Sequence, residues 1–124
     1  MLNVCIIQGK VLKDIEPKEL KNGGKVATFT IINTRDTRNR NGGRDSDFID
    51  IVAWDDLAAF IAENFSKGDR IIIVGRLQKR AHENASGSTV KQMEVVAEKA
   101  YFGGAFSGDA NEASLLGGLL DFER

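Results

Sequence analysis

Residues 67–77 read Lys67-Gly68-Asp69-Arg70-Ile71-Ile72-Ile73-Val74-Gly75-Arg76-Leu77. The β-branched run in the middle favours a strand, and a glycine inside a strand is typical of a bulge or a sharp bend. Because closing a small barrel requires such bends, this segment favours a barrel. The cation and glycine at its start are typical of the place where a preceding helix ends.

Four more strand-like segments lie on either side, each rich in β-branched or aromatic residues. They cover residues 3–12, 25–34, 47–54 and 90–102, and the strand after Gly68 covers residues 70–79. Turn-forming sequences separate them at Asn22-Gly23-Gly24, Asn41-Gly42-Gly43 and Ser86-Gly87-Ser88. Residues 33–46 are predicted to be a long polar loop. A second interior glycine, Gly9, also marks a bulge or bend.

One segment, residues 55–65, breaks the β pattern with apolar residues at helical spacing. Asp55 or Asp56 is expected to cap this helix through its carboxylate. The order strand, strand, strand, helix, strand, strand predicts an all-β protein. We expect a five-stranded barrel of the OB-fold type, with one helix between strands 3 and 4 closing one end.

The bulk composition fits one domain with a short tail. The chain has 124 residues, of which 42% are hydrophobic and 28% charged, enough for a real core. Uninterrupted apolar runs such as Ile71 to Val74 are far too short to span a membrane. Cys5 is the only cysteine, so neither an internal disulfide nor a multi-thiolate metal site can form. A cytoplasmic setting is consistent with this.

Charge is segregated along the chain, although the net charge is only −1. Residues 1–102 carry 16 Lys and Arg against 14 Asp and Glu, whereas residues 103–124 carry one Arg against four acids. We therefore divide the chain into a domain at 1–102 and a glycine-containing, flexible, acidic tail at 103–124. The leucine-rich end of the tail is either a poorly ordered terminus or a short docking motif for a partner protein.

Aromatic and basic residues are candidates for a nucleic-acid surface, since single-strand binding needs flat side chains for bases and cations for phosphates. Phe48 and Trp54 are six residues apart on one strand and so share a face, with Asp50 and Val52 between them. That both rings belong to the core stays an alternative. His82 is either a solvated residue or a stacking one. The candidate cations are Arg35, Arg38, Arg40 and Arg44 in the polar loop, and Arg76, Lys79 and Arg80 near the end of the fourth strand.

Catalysis is poorly supported by the residues. One histidine and one cysteine do not make a zinc site. The aspartates that could hold magnesium for a nuclease are spread over a loop, a strand and a helix start: Asp45, Asp47, Asp50, Asp55 and Asp56. The paired glycines lack the Lys-Ser/Thr of a phosphate-binding loop. We expect no enzyme, no metal and no cofactor.

Several ordered segments together resemble bacterial single-stranded DNA-binding proteins over residues 3–102. The segment from Lys67 to Leu77 resembles the family's Lys-Gly, hydrophobic strand, Gly-Arg/Gln-Leu signature. Residues 48–58 resemble its third strand and helix, and residues 26–31 and 94–97 its second and fifth strands. The resemblance implies an OB fold and a stacking surface that includes Phe48, Trp54 and His82. His82 lies at a position where the family usually has Trp or Tyr. The family also has a further aromatic residue near position 37, where this chain has Thr37.

The resemblance further implies sequence-independent binding and protection of single-stranded DNA in replication, recombination or repair. It implies a homotetramer (or homodimer) in which residues 3–12 contribute to subunit pairing, and no membrane association. It also implies that the tail recruits replication and repair proteins, but the ending Asp121-Phe122-Glu123-Arg124 departs from the family's acidic tail that closes on Phe. Two alternatives stay open: an OB interaction module of a primosome or recombination complex, and an RNA-binding OB domain.

Overall fold

The computed structural model describes residues 1–104. Within this range lie one helix, α1 (Asp55–Asn64), and six strands: β1 (Cys5–Val11), β2 (Lys18–Glu19), β3 (Lys25–Arg38), β4 (Arg44–Trp54), β5 (Arg70–Glu83) and β6 (Thr89–Phe102). The strand order is β1-β5-β6-β4-β3-β2, and β1 also pairs with β3. This extra pairing closes the five long strands into an OB-type barrel. The predicted fold is confirmed, and the two-residue β2 is the one strand with no counterpart among the predicted segments.

Two glycines allow the barrel to close, as predicted for interior glycines. At Gly75 the register between β5 and β6 shifts, and a Cβ atom there would lie 2.1 Å from the carbonyl oxygen of Val96. At Gly9 a Cβ atom would lie 2.8 Å from the carbonyl oxygen of Ile32, next to the point where β1 passes from β5 to β3. Only glycine permits such close backbone approach.

The core follows from strand alternation and from the apolar stripe of α1. Side chains at alternate strand positions point into the barrel and are fully buried, among them Ile31, Ile51, Ile71, Ile73 and Val95. The helix adds Ala58 and Ile61 to this cluster, both 0% exposed. The helix therefore packs its apolar face into the barrel, as its amphipathic pattern predicts.

The predicted cap of α1 is wrong. Trp54 occupies the capping position in an extended conformation, and no side chain caps the first turn. Asp55 has a φ of 52°, and its Oδ1 accepts a hydrogen bond from the backbone N–H of Lys25, 3.1 Å away. Because β4 turns into the helix without a loop, this carboxylate ties the helix start to β3 instead of satisfying the helix's own N–H groups.

The predicted loop at residues 33–46 is largely a β-hairpin. Strands β3 and β4 stay paired as far as Arg38 and Arg44, with a register shift between Thr34 and Arg38. The turn is closed by Asn39, whose Oδ1 accepts the backbone N–H groups of Asn41 and Gly43. Strand β5 is also longer than the predicted 70–79, so His82 lies within β5 and not beyond its end.

The tail predicted at 103–124 lies outside the described residues, apart from Gly103 and Gly104. Across residues 1–104, α1 is the only helix, and it is too short to cross a bilayer.

Candidate nucleic-acid interface

Strand β4 carries two exposed rings on the outer surface of the barrel. Phe48 is 66% exposed and Trp54 47% exposed, whereas Ile51 and Ala53, at alternate positions, lie in the core. Neither ring therefore belongs to the core. At about 3.3 Å per residue the two rings are roughly 20 Å apart along the strand. We call the outward side of β4 (Phe48, Asp50, Val52 and Trp54), with its neighbours on β3 and β6, the aromatic face.

The β5–β6 hairpin extends the aromatic face on one side. Strand β6 runs parallel to β4, with Val52 beside Val96, and β5 places Arg76 opposite Val96 and Arg80 opposite Gln92. Residues in register share a side of a sheet, and side chains alternate along each strand. Arg76, Arg80 and His82 therefore project on the same side as the aromatic rings. Lys79 projects on the opposite side, so it is not brought together with them.

A polar recess of about 220 Å³ opens on the aromatic face between β3, β4 and the β5–β6 hairpin; we call it the notch, and Thr28, Thr30, Asp50, Arg80 and Glu94 are among its lining residues. Asp50 Oδ1 accepts a hydrogen bond from Thr30 Oγ1 at 2.9 Å, and its Oδ2 accepts one from the Gln92 side-chain amide. The notch thus holds a carboxylate fixed by two donors.

Glu94 anchors Arg80 at the edge of the notch. The Glu94 side chain is only 5% exposed; it lies 3.4 Å from Arg80 Nε and accepts a hydrogen bond from Gln78 Nε2 at 3.1 Å. A carboxylate so deeply buried needs a cation and hydrogen-bond donors to compensate its lost hydration. Arg80 is therefore held in place, with its positive charge matched by a buried negative one.

Arg35 is engaged within the β3–β4 hairpin. Its Nε and Nη2 donate to the two carboxylate oxygens of Asp47 at 2.9 and 2.8 Å, and Asp45 lies 4.0 Å away. The hydrogen bonds from Arg35 lower the pKa of Asp47, and the same hydrogen bonds raise the pKa of Arg35. Asp47 precedes Phe48 and so points to the opposite side of β4. Arg35 is thereby drawn away from the aromatic face.

The other three arginines of this hairpin surround its turn, beyond the Phe48 end of the aromatic face. Arg38 and Arg44 each donate through Nη1 to a backbone carbonyl of the hairpin, at 2.6 and 2.5 Å. Arg40 is exposed and makes no hydrogen bond or ion pair within residues 1–104. Because a guanidinium has five N–H donors, all three keep donors for an incoming phosphate.

A second cleft, about 550 Å³, lies at the base of the hairpin between β1 and β3. Its lining includes Ile32, which pairs with Phe48, together with Lys10, Arg35 and Arg70. Lys10 and Arg70 were not among the predicted site residues. They meet because β1 pairs with β5, a long-range register that no local pattern reveals. The sequence placed Asp50 on the same face of the strand as the two rings. It could not predict the hydrogen bonds that fix the Asp50 carboxylate.

Several of the aspartates that could have served a nuclease have other contacts. Asp47 binds Arg35, and Asp55 binds the backbone of Lys25. Within residues 1–104, no group of three or more histidine, cysteine or acidic side chains is arranged to hold a metal ion.

Comparison with known proteins places these features in a family. Residues 2–103 match the model of the single-strand binding protein family. The chain is 40% identical to single-stranded DNA-binding protein A of Bacillus subtilis over 120 residues, which cover 92% of this chain and 70% of that protein. It is 33% identical to the single-stranded DNA-binding protein of Streptococcus pneumoniae over 136 aligned positions, covering 100% of this chain and 87% of the relative. The chain therefore belongs to the single-strand binding protein family.

Proposed function

We propose that this chain binds single-stranded DNA largely irrespective of sequence, protects it during replication, recombination or repair, and is not an enzyme. The observation that carries the proposal is the pair of exposed rings, Phe48 and Trp54, on one outer strand of the barrel. Solvent-exposed aromatic rings cost free energy in water, and unpaired bases offer flat surfaces that would cover them.

Stacking explains why binding tolerates any sequence, because every base has a π-face. Cations beside the rings then hold the sugar–phosphate backbone. Arg76 lies along one side of the aromatic face, and the turn arginines of the β3–β4 hairpin lie beyond Phe48. Duplex DNA is expected to bind poorly, since its bases are already stacked on one another.

The experiment is a titration of fluorescently labelled oligo-dT followed by anisotropy, with three unlabelled competitors of equal length: oligo-dT, duplex DNA and oligo-rU. The proposal expects oligo-dT to displace the label at far lower concentration than the duplex. Equal competition by the duplex, or no binding of the label, would contradict it. Stronger competition by oligo-rU would favour the RNA-binding alternative.

We also propose a homodimer, and by pairing of dimers a homotetramer, formed through β1. Residues 5–9 of β1 pair with β5 on one side, but β3 pairs only with Lys10 and Val11 on the other. The remaining edge can accept a strand from a second copy. Next to this edge, Val4 and Ile6 are 68% and 70% exposed, and Tyr101 on the same side of β6 is 50% exposed. Such an apolar patch is typical of a protein interface.

Light scattering coupled to size-exclusion chromatography tests the assembly. Ile6→Glu is expected to lower the mass by placing a charge in the interface, whereas Glu63→Gln on α1 leaves it unchanged. A monomeric parent protein, or an unaltered mass for Ile6→Glu, would contradict the proposal.

A second candidate function is an interaction module that acts mainly through protein contacts. It is favoured by Thr37, which is exposed on the hairpin where the family resemblance leads us to expect an aromatic ring. We propose that any recruitment of replication or repair proteins uses residues 103–124. A stable complex with such a partner, together with undetectable oligo-dT binding, would support this function over the first.

A further inference from the structure

We propose that Asp50 biases binding toward bases that carry an exocyclic amino group, such as cytosine, over uracil and thymine. The inference rests on the proposed single-strand binding and adds a compositional preference to it. Asp50 lies between Phe48 and Trp54 on the same side of β4, beside the two places where bases are expected to stack.

The carboxylate of Asp50 is a preorganised hydrogen-bond acceptor. Thr30 and Gln92 each donate to a different one of its oxygens, so the group cannot rotate freely. An ionised carboxylate accepts about four hydrogen bonds. Two donors therefore hold it while leaving capacity for a ligand, and the half-buried side chain still opens into the notch.

No cation neutralises Asp50. Within the described residues its side chain is in no ion pair, and the nearby Arg80 is already paired with the buried Glu94. A bare negative charge in the middle of this surface repels phosphates and lowers affinity for a polyanion. The charge is tolerable if phosphates follow the cations at the margin and bases, not phosphates, face the notch.

Bases differ in how they meet a carboxylate. Cytosine presents an N4 amino group, which donates a hydrogen bond, and carboxylate side chains are the usual acceptors for it. Uracil and thymine present the O4 carbonyl at the same position, and two acceptors facing each other repel. Stacking on Phe48 and Trp54 is available to every base. Asp50 therefore changes the affinity for DNA with its base composition but does not abolish binding to any sequence.

The experiment compares oligo-dC and oligo-dU of equal length, short enough to occupy one barrel. These oligomers share the sugar and phosphate and differ at the Watson–Crick edge. The ratio of dissociation constants, dU over dC, is measured for the parent protein, for Asp50→Asn and for Glu63→Gln. Asp50→Asn removes the charge and keeps the shape, whereas Glu63→Gln removes the same charge from an exposed position on α1.

The inference expects the ratio to fall by about tenfold in Asp50→Asn, or ~1.4 kcal/mol, and to stay unchanged in Glu63→Gln. A variant that binds both oligomers more tightly by the same factor would show that Asp50 merely repels phosphate, and would overturn the inference. An unchanged ratio would overturn it as well. Absence of binding to either oligomer by the parent protein would instead refute the proposed function and this inference with it.

A second measurement needs no variant and is therefore independent of folding. Oligomers of N4,N4-dimethylcytosine lack the N4–H donors, so the parent protein should lose its preference over oligo-dU. Retention of the full preference with the dimethylated base would overturn the inference.

Discussion

Phe48→Ala removes one exposed ring, and the structure indicates that the barrel survives the change. The side chain is 66% exposed, so about a third of it is buried in the free protein. Removing a fully buried Phe costs ~3–5 kcal/mol, and a third of that is about 1–1.7 kcal/mol. Stabilities of small domains are ~5–15 kcal/mol, so the variant should stay folded at room temperature.

The same variant should lose much more in binding, because the exposed part of the ring is what a base would cover. In single-strand binding proteins generally, base–aromatic stacks are worth ~1–3 kcal/mol each. That range corresponds to binding weakened by about 5- to 150-fold. Trp54→Ala should have a similar effect. The two rings are roughly 20 Å apart along β4, so their effects should add in the double variant.

Anisotropy with labelled oligo-dT measures both effects, and thermal unfolding by circular dichroism reports folding. Phe60→Ala is the matched control: this phenylalanine is 39% exposed on α1, away from the aromatic face. It should bind like the parent protein. If Phe48→Ala and Trp54→Ala both keep parental affinity while folded, the stacking argument is refuted.

Three more predictions concern charge and packing. Because each neutralised phosphate contributes about 0.7 to the slope of log affinity against log salt, Arg76→Gln should reduce that slope by about 0.7. Arg35→Gln should change the salt slope less, since Arg35 is already paired with Asp47. Equal changes of slope in the two variants would contradict this. The carboxyl NMR shift of Asp47 should titrate below the usual 3.8 and return toward it in Arg35→Gln, because hydrogen bonds from Arg35 lower its pKa. Any stability from this exposed pair is present above the unfolded pKa and lost as pH falls through the lower folded one; a midpoint at or above 3.8 would refute the pairing. Gly75→Ala should lower the free energy of unfolding by several kcal/mol in chemical denaturation, since its Cβ would lie 2.1 Å from a carbonyl oxygen of β6. The control Gly43→Ala should lower it little. Equal losses of stability in the two variants would contradict the close approach of β5 and β6 at Gly75.

The sequence predicts the fold well because local pattern and barrel geometry agree. β-branched runs became the five long strands, and the apolar stripe at residues 55–65 became α1. Boundaries were harder where polar residues form strands. Residues 34–38 and 44–46 are polar and exposed, so they look like a loop, but backbone pairing within the hairpin makes them strands. Cross-strand hydrogen bonding there outweighs propensity.

The sequence predicted only those features of the site that depend on alternation within a single strand. Alternation along β4 placed Phe48 and Trp54 on one side, and their exposure agrees with that placement. Alternation along β5 would also have separated Lys79 from Arg80. The pairing of Arg80 with Glu94 could not be foreseen, because it depends on the register between β5 and β6. Likewise, Asp55 was expected to cap α1, but the abrupt passage from β4 to the helix gives it a different partner.

Trp54 is the only tryptophan of the chain, so its fluorescence tests the central claim directly. Oligo-dT is added to the unlabelled protein at low and at high salt, and the emission is recorded. Direct stacking of a base on the exposed indole predicts saturable quenching, with a weaker apparent affinity at high salt. Saturable binding seen by anisotropy with no change in Trp54 emission would contradict the proposal that bases stack on this face of the barrel.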